Sequence, residues 1–200
     1  MTKRGYTLAM DDPLLTLRPI TESDETAALH ILKNPDLSRR TLFAGLREVR
    51  NVRWARRRRS FGVRFDRQLF GYVELLHNED DGQAWELSVV FADHKRSLDA
   101  GRSAIAAIFY AFEALNADVV WFWVKRSHEV IHAFAEQAGF TRMNEIKTPG
   151  GETADVYELT RDKWRSCQMN AYGFFLETPV EIRDTTQRWV GTSDGFQSRA

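Results

Sequence analysis

Apolar and polar positions change their spacing several times along the chain, and each change marks a predicted element. The run Leu14 to Ile20 reads as a short strand, with Pro19 placing its end at an edge or bend. Thr21 to Asp24 is turn and cap material. Ala27, Ala28, Ile31 and Leu32 then recur at helical spacing until Asn34-Pro35 stops them. Residues 36–60 carry Leu37, Leu42, Leu46, Val49, Val52 and Trp54 among polar positions, a spacing that suggests one or two further helices. From Ser60 the period shortens. Phe61 to Phe65 alternates as a half-buried strand, Asp66-Arg67-Gln68 turns, and Leu69 to Leu75 completes a hairpin. After a polar loop at 77–83, Ala84 to Phe91 reads as a third strand of this group.

A polar stretch from Ala92 to Asp99 leads to Gly101, and Ser103 to Leu115 is a nearly all-apolar helix that neighbours must cover on most sides. Val119 to Val124 is β-branched and aromatic, a buried strand. Glu129 to Gln137 is helical, and Gly139 suits its end. Phe140 to Ile146 and Asp155 to Leu159 form a closing hairpin around Thr148-Pro149-Gly150-Gly151. The expected order, β-α-α-β-β-β-α-β-α-β-β, is a mixed α/β sheet without internal repeats. Past about Arg161 the patterning weakens, so residues 161–200 read as an accessory extension.

Composition narrows the function classes. The 200 residues contain 28 Lys plus Arg and 28 Asp plus Glu, a balance that argues against general nucleic-acid or membrane affinity. Cys167 is the single cysteine, which excludes an intrachain disulfide and a cysteine zinc cluster. No apolar run approaches the roughly 20 residues of a membrane helix, and the N-terminal residues do not suit export. The expectation is a soluble, cytoplasmic protein.

The informative stretch is strand, loop, Gly101, helix. A first helical turn offers unpaired N–H groups and the positive end of the helix dipole, so it holds phosphates without a charged side chain. Ala100, Gly101 and Ser103 are small enough to let a pyrophosphate approach, and Arg96 and Arg102 add cations. The alternative is a plain helix cap. His128 and His132 lie four apart, with capping or substrate contact weighed above metal binding. Arg47, Arg50 and Arg53 recur every three residues before the run Arg56 to Arg59. Arg53 and Arg56 are therefore candidates for an acidic substrate, against a solvated face or RNA contact.

The order of these segments resembles the GNAT superfamily of N-acyltransferases. Within it the RimJ/RimL-like branch is most similar, on Leu17 to Asp24, on Ala104 to Leu115 with its Tyr110-Ala111-Phe112-Glu113, and on Ala133 to Phe140 with its Gly-Phe ending. Amino-sugar acetyltransferases are similar too. The resemblance covers residues 14–160 and implies a mostly antiparallel central sheet flanked by helices. It also implies acetyl-CoA as co-substrate, with the pyrophosphate over Arg96, Asp99, Ala100, Gly101 and Arg102. The thioester would lie along Val89, Val90 and Phe91, between diverging strands. Asp99 departs from the family by placing a carboxylate where a bare backbone is usual. His128 falls where Asn is common, and Ala135, or Phe134, falls where a Tyr often stands.

Acetyl transfer to an amine needs a base. Glu86, matching a base of some GNAT enzymes, is the candidate, on one strand face with Ser88 and Val90. The implied acceptor is a primary amine, on a protein N-terminus or a nucleotide-linked amino sugar. The alternatives are a catalytically weak acyl-CoA-binding module and an RNA-binding protein. A homodimer is left open.

Overall fold

The computed structural model describes residues 15–20, 24, 27, 31, 58–65, 68–78, 82–91, 97–148, 151–185 and 187–199. The elements in chain order are β1 (Leu15–Pro19), β2 (Arg58–Phe65), β3 (Gln68–Asn78), β4 (Ala84–Phe91), α1 (Ser97–Glu113), β5 (Val119–Lys125) and α2 (Glu129–Gln137). Then follow β6 (Thr141–Lys147), β7 (Thr153–Thr160), α3 (Arg161–Phe175), β8 (Val180–Arg183), β9 (Arg188–Thr192) and β10 (Gly195–Arg199). Ala27 and Ile31 are helical, as expected. The other helices expected before Ser60 fall outside the described residues, as do Arg53, Arg56 and Arg96.

The strands form one sheet in the order β10-β9-β8-β1-β2-β3-β4-β5-β7-β6. Among the described residues, only β1 with β8 and β4 with β5 pair parallel; every other neighbouring pair is antiparallel. The mixed α/β class and the mostly antiparallel sheet expected from the sequence are therefore what the chain forms. Pro19 pairs with Phe61 on one side, while β8 pairs only as far as Leu17 on the other. The residue without an N–H thus stands where one neighbouring strand has already stopped.

α1 is the centre of the core. Its Ile105, Ile108, Tyr110 and Phe112 are buried, with the helix against β3, β4 and β5 and with α3 also packed on it. Each such side chain contributes roughly 1.5–3 kcal/mol by leaving water, so the nearly uniform apolarity of this helix is accounted for by cover on more than one side. The start of α1 corrects the sequence reading. The helix opens at Ser97, so Asp99 lies in its first turn and Gly101 inside it. An acidic residue in a first turn is favoured by the helix dipole, and Arg102 Nη1 meets Asp99 Oδ1 at 3.0 Å one turn on.

The extension is continuous with the rest of the fold. Thr160 caps α3 by accepting from the Lys163 amide. Trp164, Tyr172 and Phe175 of α3 enter the main core, and Phe112 stacks on Trp164 at 5.9 Å. β8 then joins the sheet beside β1, and β9 and β10 widen it. Among the described residues, no helix is long and apolar enough to cross a membrane.

Candidate functional site

The site begins where two parallel strands part. β4 and β5 pair from Ala84 with Val119 to Glu86 with Trp121, and no further. Beyond that point Leu87 to Phe91 and Phe122 to Lys125 have no cross-strand partner in each other. Connecting β4 to β5 requires a crossover, and that crossover is α1. Its first turns and α2 both border this opening.

A cavity of about 360 Å³ fills this opening. Leu87, Ser88, Val89 and Val90 of β4 all line it, as do Phe122 to Lys125 of β5. Successive residues of a strand point to opposite faces. Leu87 and Val89 pack with the α1 core, whereas Val90 clusters with Ile31 and Tyr72 on the other face. Four consecutive β4 residues, whose side chains alternate between the two faces, therefore border the cavity along the parted edge of the strand. Its walls are mostly apolar, with Ala100, Ala104 and Phe134 among them, and Ser88, Ser97, Lys125, His128 and Gln137 supplying polar groups.

The expected site residues divide accordingly. Val89, Val90, Ala100, Gly101 and His128 line the cavity. Phe91, Asp99 and Arg102 do not. Arg102 turns away to donate from Nε to the Phe175 carbonyl at 3.1 Å and from Nη1 to Asp99 at 3.0 Å. The carboxylate at Asp99 is thereby partnered by a guanidinium rather than presented to the cavity. Ser103 is fully buried and donates to the Asp99 carbonyl at 2.7 Å. Gly101 has a different reason for its bareness from the one read in the sequence. An added Cβ would stand 2.9 Å from the Phe175 ring, so the close approach Gly101 permits here is that of an aromatic side chain.

Glu86 occupies the last paired position of β4, directly at the parting and partly exposed. It shares a face with Ser88, about 7 Å further along the strand. On β3 that face carries Glu74, opposite Ser88 and bonded by Ser60 Oγ at 3.0 Å. The two histidines separate. His132 Nε2 meets the Lys125 carbonyl at 3.2 Å and Nδ1 meets Tyr157 Oη at 2.8 Å. A carbonyl only accepts, so Nε2 carries the proton and Nδ1 accepts from the tyrosine. His132 is thereby tied into the fold, whereas His128, at the N-cap of α2, lines the cavity.

Several contributors escaped the sequence reading, two of them far along the chain. Phe174 and Phe175, at the end of α3, line the cavity from within the extension. Their pairing with Gly101 is long-range, and nothing in the local pattern signals it. Phe122 and Trp123 of the strand read as buried both line it too.

Comparison with known proteins agrees with this geometry. A family model described as an acetyltransferase (GNAT) domain matches residues 15–141. Among solved structures, the fold is similar to a spermidine N-acetyltransferase from Vibrio cholerae in complex with CoA and spermine. That similarity has a TM-score of 0.66 and 18% identity, covering 76% of this chain and 98% of that one. A chimera of the Vibrio cholerae enzyme aligns with a TM-score of 0.64 and 20% identity over 76% and 98% of the respective chains. No curated protein matches the sequence significantly.

Proposed function

The chain belongs to the GNAT acetyltransferase family and is an N-acetyltransferase; from that premise we propose that it moves an acetyl group from acetyl-CoA directly to a primary amine at the parting of β4 and β5. The observation that carries this reading is the cavity at the gap where β4 and β5 stop pairing, bordered by consecutive residues of both strands. On this reading the donor occupies that gap and the acceptor approaches it from the face that carries Glu86.

The residues present suit the donor. Leu87 to Phe91 lie beyond the pairing with β5, so backbone groups on that edge of β4 can bond an amide-bearing pantetheine arm. The first turn of α1, Ser97 to Ala100, offers amides to a pyrophosphate next to the same cavity. By the family resemblance Arg96, Asp99 and Arg102 are also assigned to the pyrophosphate site, and Arg102 pairs with Asp99 across the opening turns of α1. The apolar walls from Val89, Phe122 and Phe134 exclude water from the thioester.

When bound, acetyl-CoA supplies an activated thioester; the N–C bond forms as the C–S bond breaks, and the thiolate takes its proton from water. The chain's part is to hold the acetyl carbonyl near the Val90 backbone and to free the amine of its proton. Glu86, on the acceptor face, accepts that proton directly or through one water. His128 lines the donor side.

The acceptor is a primary amine on a peptide N-terminus or on a nucleotide-linked amino sugar. The RimJ/RimL-like segments support the first and Arg53 with Arg56 the second. A thiol-release assay with acetyl-CoA tests this against short peptides, nucleotide-linked amino sugars and, because of the Vibrio cholerae neighbour, spermidine. CoA release that depends on a peptide or amino-sugar amine is the expected result. Turnover confined to spermidine would overturn the acceptor assignment, and no turnover with any amine would overturn the reaction.

A further inference from the structure

The cavity has an apolar rim that the donor reading does not by itself explain. Six large hydrophobic side chains are prominently exposed among the described residues, and four of them line this one cavity. They are Leu98 of α1, Val130 and Ile131 of α2, and Phe174 of α3, with 60%, 68%, 39% and 53% of their surfaces open. Single exposed hydrophobics need no explanation, but a cluster on the rim of a pocket marks a binding surface.

Phe174 is the member that comes from outside the matched family domain, which ends at residue 141. Its position is held firmly. The neighbouring Phe175 is buried, sits against Gly101, and packs on Phe134 with ring centroids 5.2 Å apart. The Phe175 carbonyl accepts from Arg102 Nε at 3.1 Å. Phe174 meets the Phe175 ring edge to face at 4.8 Å. The end of α3 is thus pinned to the opening turns of α1, and its exposed ring is set at the rim of the cavity.

We propose that Phe174 is a donor-binding residue. It is a wall of the CoA site supplied by the C-terminal extension, covering the carrier arm where that arm leaves the gap between β4 and β5. The proposal rests on acetyl-CoA being the donor. Docked CoA would cover the open half of the Phe174 ring together with Leu98, Val130 and Ile131. The effect of the ring is on holding the donor, so its loss raises the donor KM rather than lowering kcat.

The test is calorimetric titration of CoA into the wild-type chain and three variants: Phe174→Ala, Phe174→Tyr and Met169→Ala. Met169 is equally exposed on α3 but does not line the cavity, so it controls for loss of surface apolar area. The proposal expects Phe174→Ala to weaken CoA binding about five- to tenfold, with Phe174→Tyr near wild type and Met169→Ala unchanged. Equal, measurable affinity in all four proteins would overturn the role of Phe174 while leaving the donor reading intact. Flat titrations in all four would instead overturn the donor reading, and this proposal with it. A loss of the same size in Met169→Ala would show a general effect of α3, which also contradicts it.

Discussion

Glu86 and Trp121 form the last cross-strand pair between β4 and β5, and past them the strands part around the cavity. A carboxylate at a branch point between strands is held by the paired backbone on one side of the branch while its neighbours line the gap on the other. In the proposed mechanism Glu86, which borders the gap without lining the cavity, takes the proton of an amine that enters from the face it shares with Ser88. Glu86→Gln keeps the shape and removes the base. Turnover with the best amine should fall about 100-fold, while CoA affinity stays within twofold. Steady-state rates and calorimetry check both halves; an unchanged rate would remove Glu86 from the mechanism.

Gly101 and Phe175 yield a second expectation. Alanine favours a helix interior over glycine by about 0.5–1 kcal/mol, so propensity alone would make Gly101→Ala stabilising. The added Cβ, however, would stand 2.9 Å from the Phe175 ring, which is buried against Phe134 and cannot swing freely. Overpacking of this kind costs about 1–3 kcal/mol. The variant should melt at a lower temperature and bind CoA more weakly, since Phe175 lines the donor cavity. A rise in melting temperature would mean that the ring yields without cost.

Acid should destabilise the fold through two buried carboxylates. Burial alone would raise the Glu181 carboxyl, but Arg188 and Arg183 outweigh it and hold it below 4.5. Burial likewise opposes ionisation of Asp155, and Arg142 with Arg126 holds it below 3.8. Both groups are thus more acidic folded than unfolded. Their stabilisation is present above those ordinary values and is lost as pH falls through the lower folded ones. Melting temperature should therefore drop steeply below about pH 4.5. Glu181→Gln should melt lower near neutrality and show a shallower acid slope. Parallel wild-type and variant curves would contradict this account.

Cys167 should be a poor nucleophile. Burial is the main influence on its thiol and pushes it above 9.0, although Lys163 nearby pulls the other way. Its sulfur also lies against Gly139, where the backbone has φ of 87° and leaves no room for a Cβ. Iodoacetamide should alkylate Cys167 more slowly than free cysteine at the same pH. Equal rates would indicate that α3 opens readily from the Gly139 turn.

Much of the architecture was legible in local pattern. α2 was read as Glu129–Gln137 because its apolar spacing ends cleanly at Gly139. The β2–β3 hairpin and β4 followed from alternation. The sequence pattern places the start of α1 too late, because Gly101 resembles the end of a loop and the stretch through Asp99 is polar. In the fold those residues are a first turn stabilised by Asp99, and the glycine answers to Phe175, a contact that only the tertiary structure creates. For the same reason the extension gave no signal: β8 pairs parallel with β1 from the far end of the chain, and Phe174 and Phe175 reach the cavity only because α3 packs on α1. The cavity lining was legible where it rests on the strand pattern, as at Val89 and Val90, whereas Glu86 stands at the parting without lining the cavity. It was not where it depends on which side of α1 a residue faces, as at Arg102, which turns to Asp99 and the Phe175 carbonyl instead of the cavity.

The claim beneath the functional expectations is that the gap past Glu86 and Trp121 holds the thioester end of the donor. The most direct measurement is a crystal structure of the chain with CoA bound. The account predicts the CoA sulfur between β4 and β5, beside Val89 and Val90, with the pyrophosphate at the Ser97–Ala100 amides. A sulfur outside that gap, with β4 and β5 closed onto each other beyond Glu86, would contradict it.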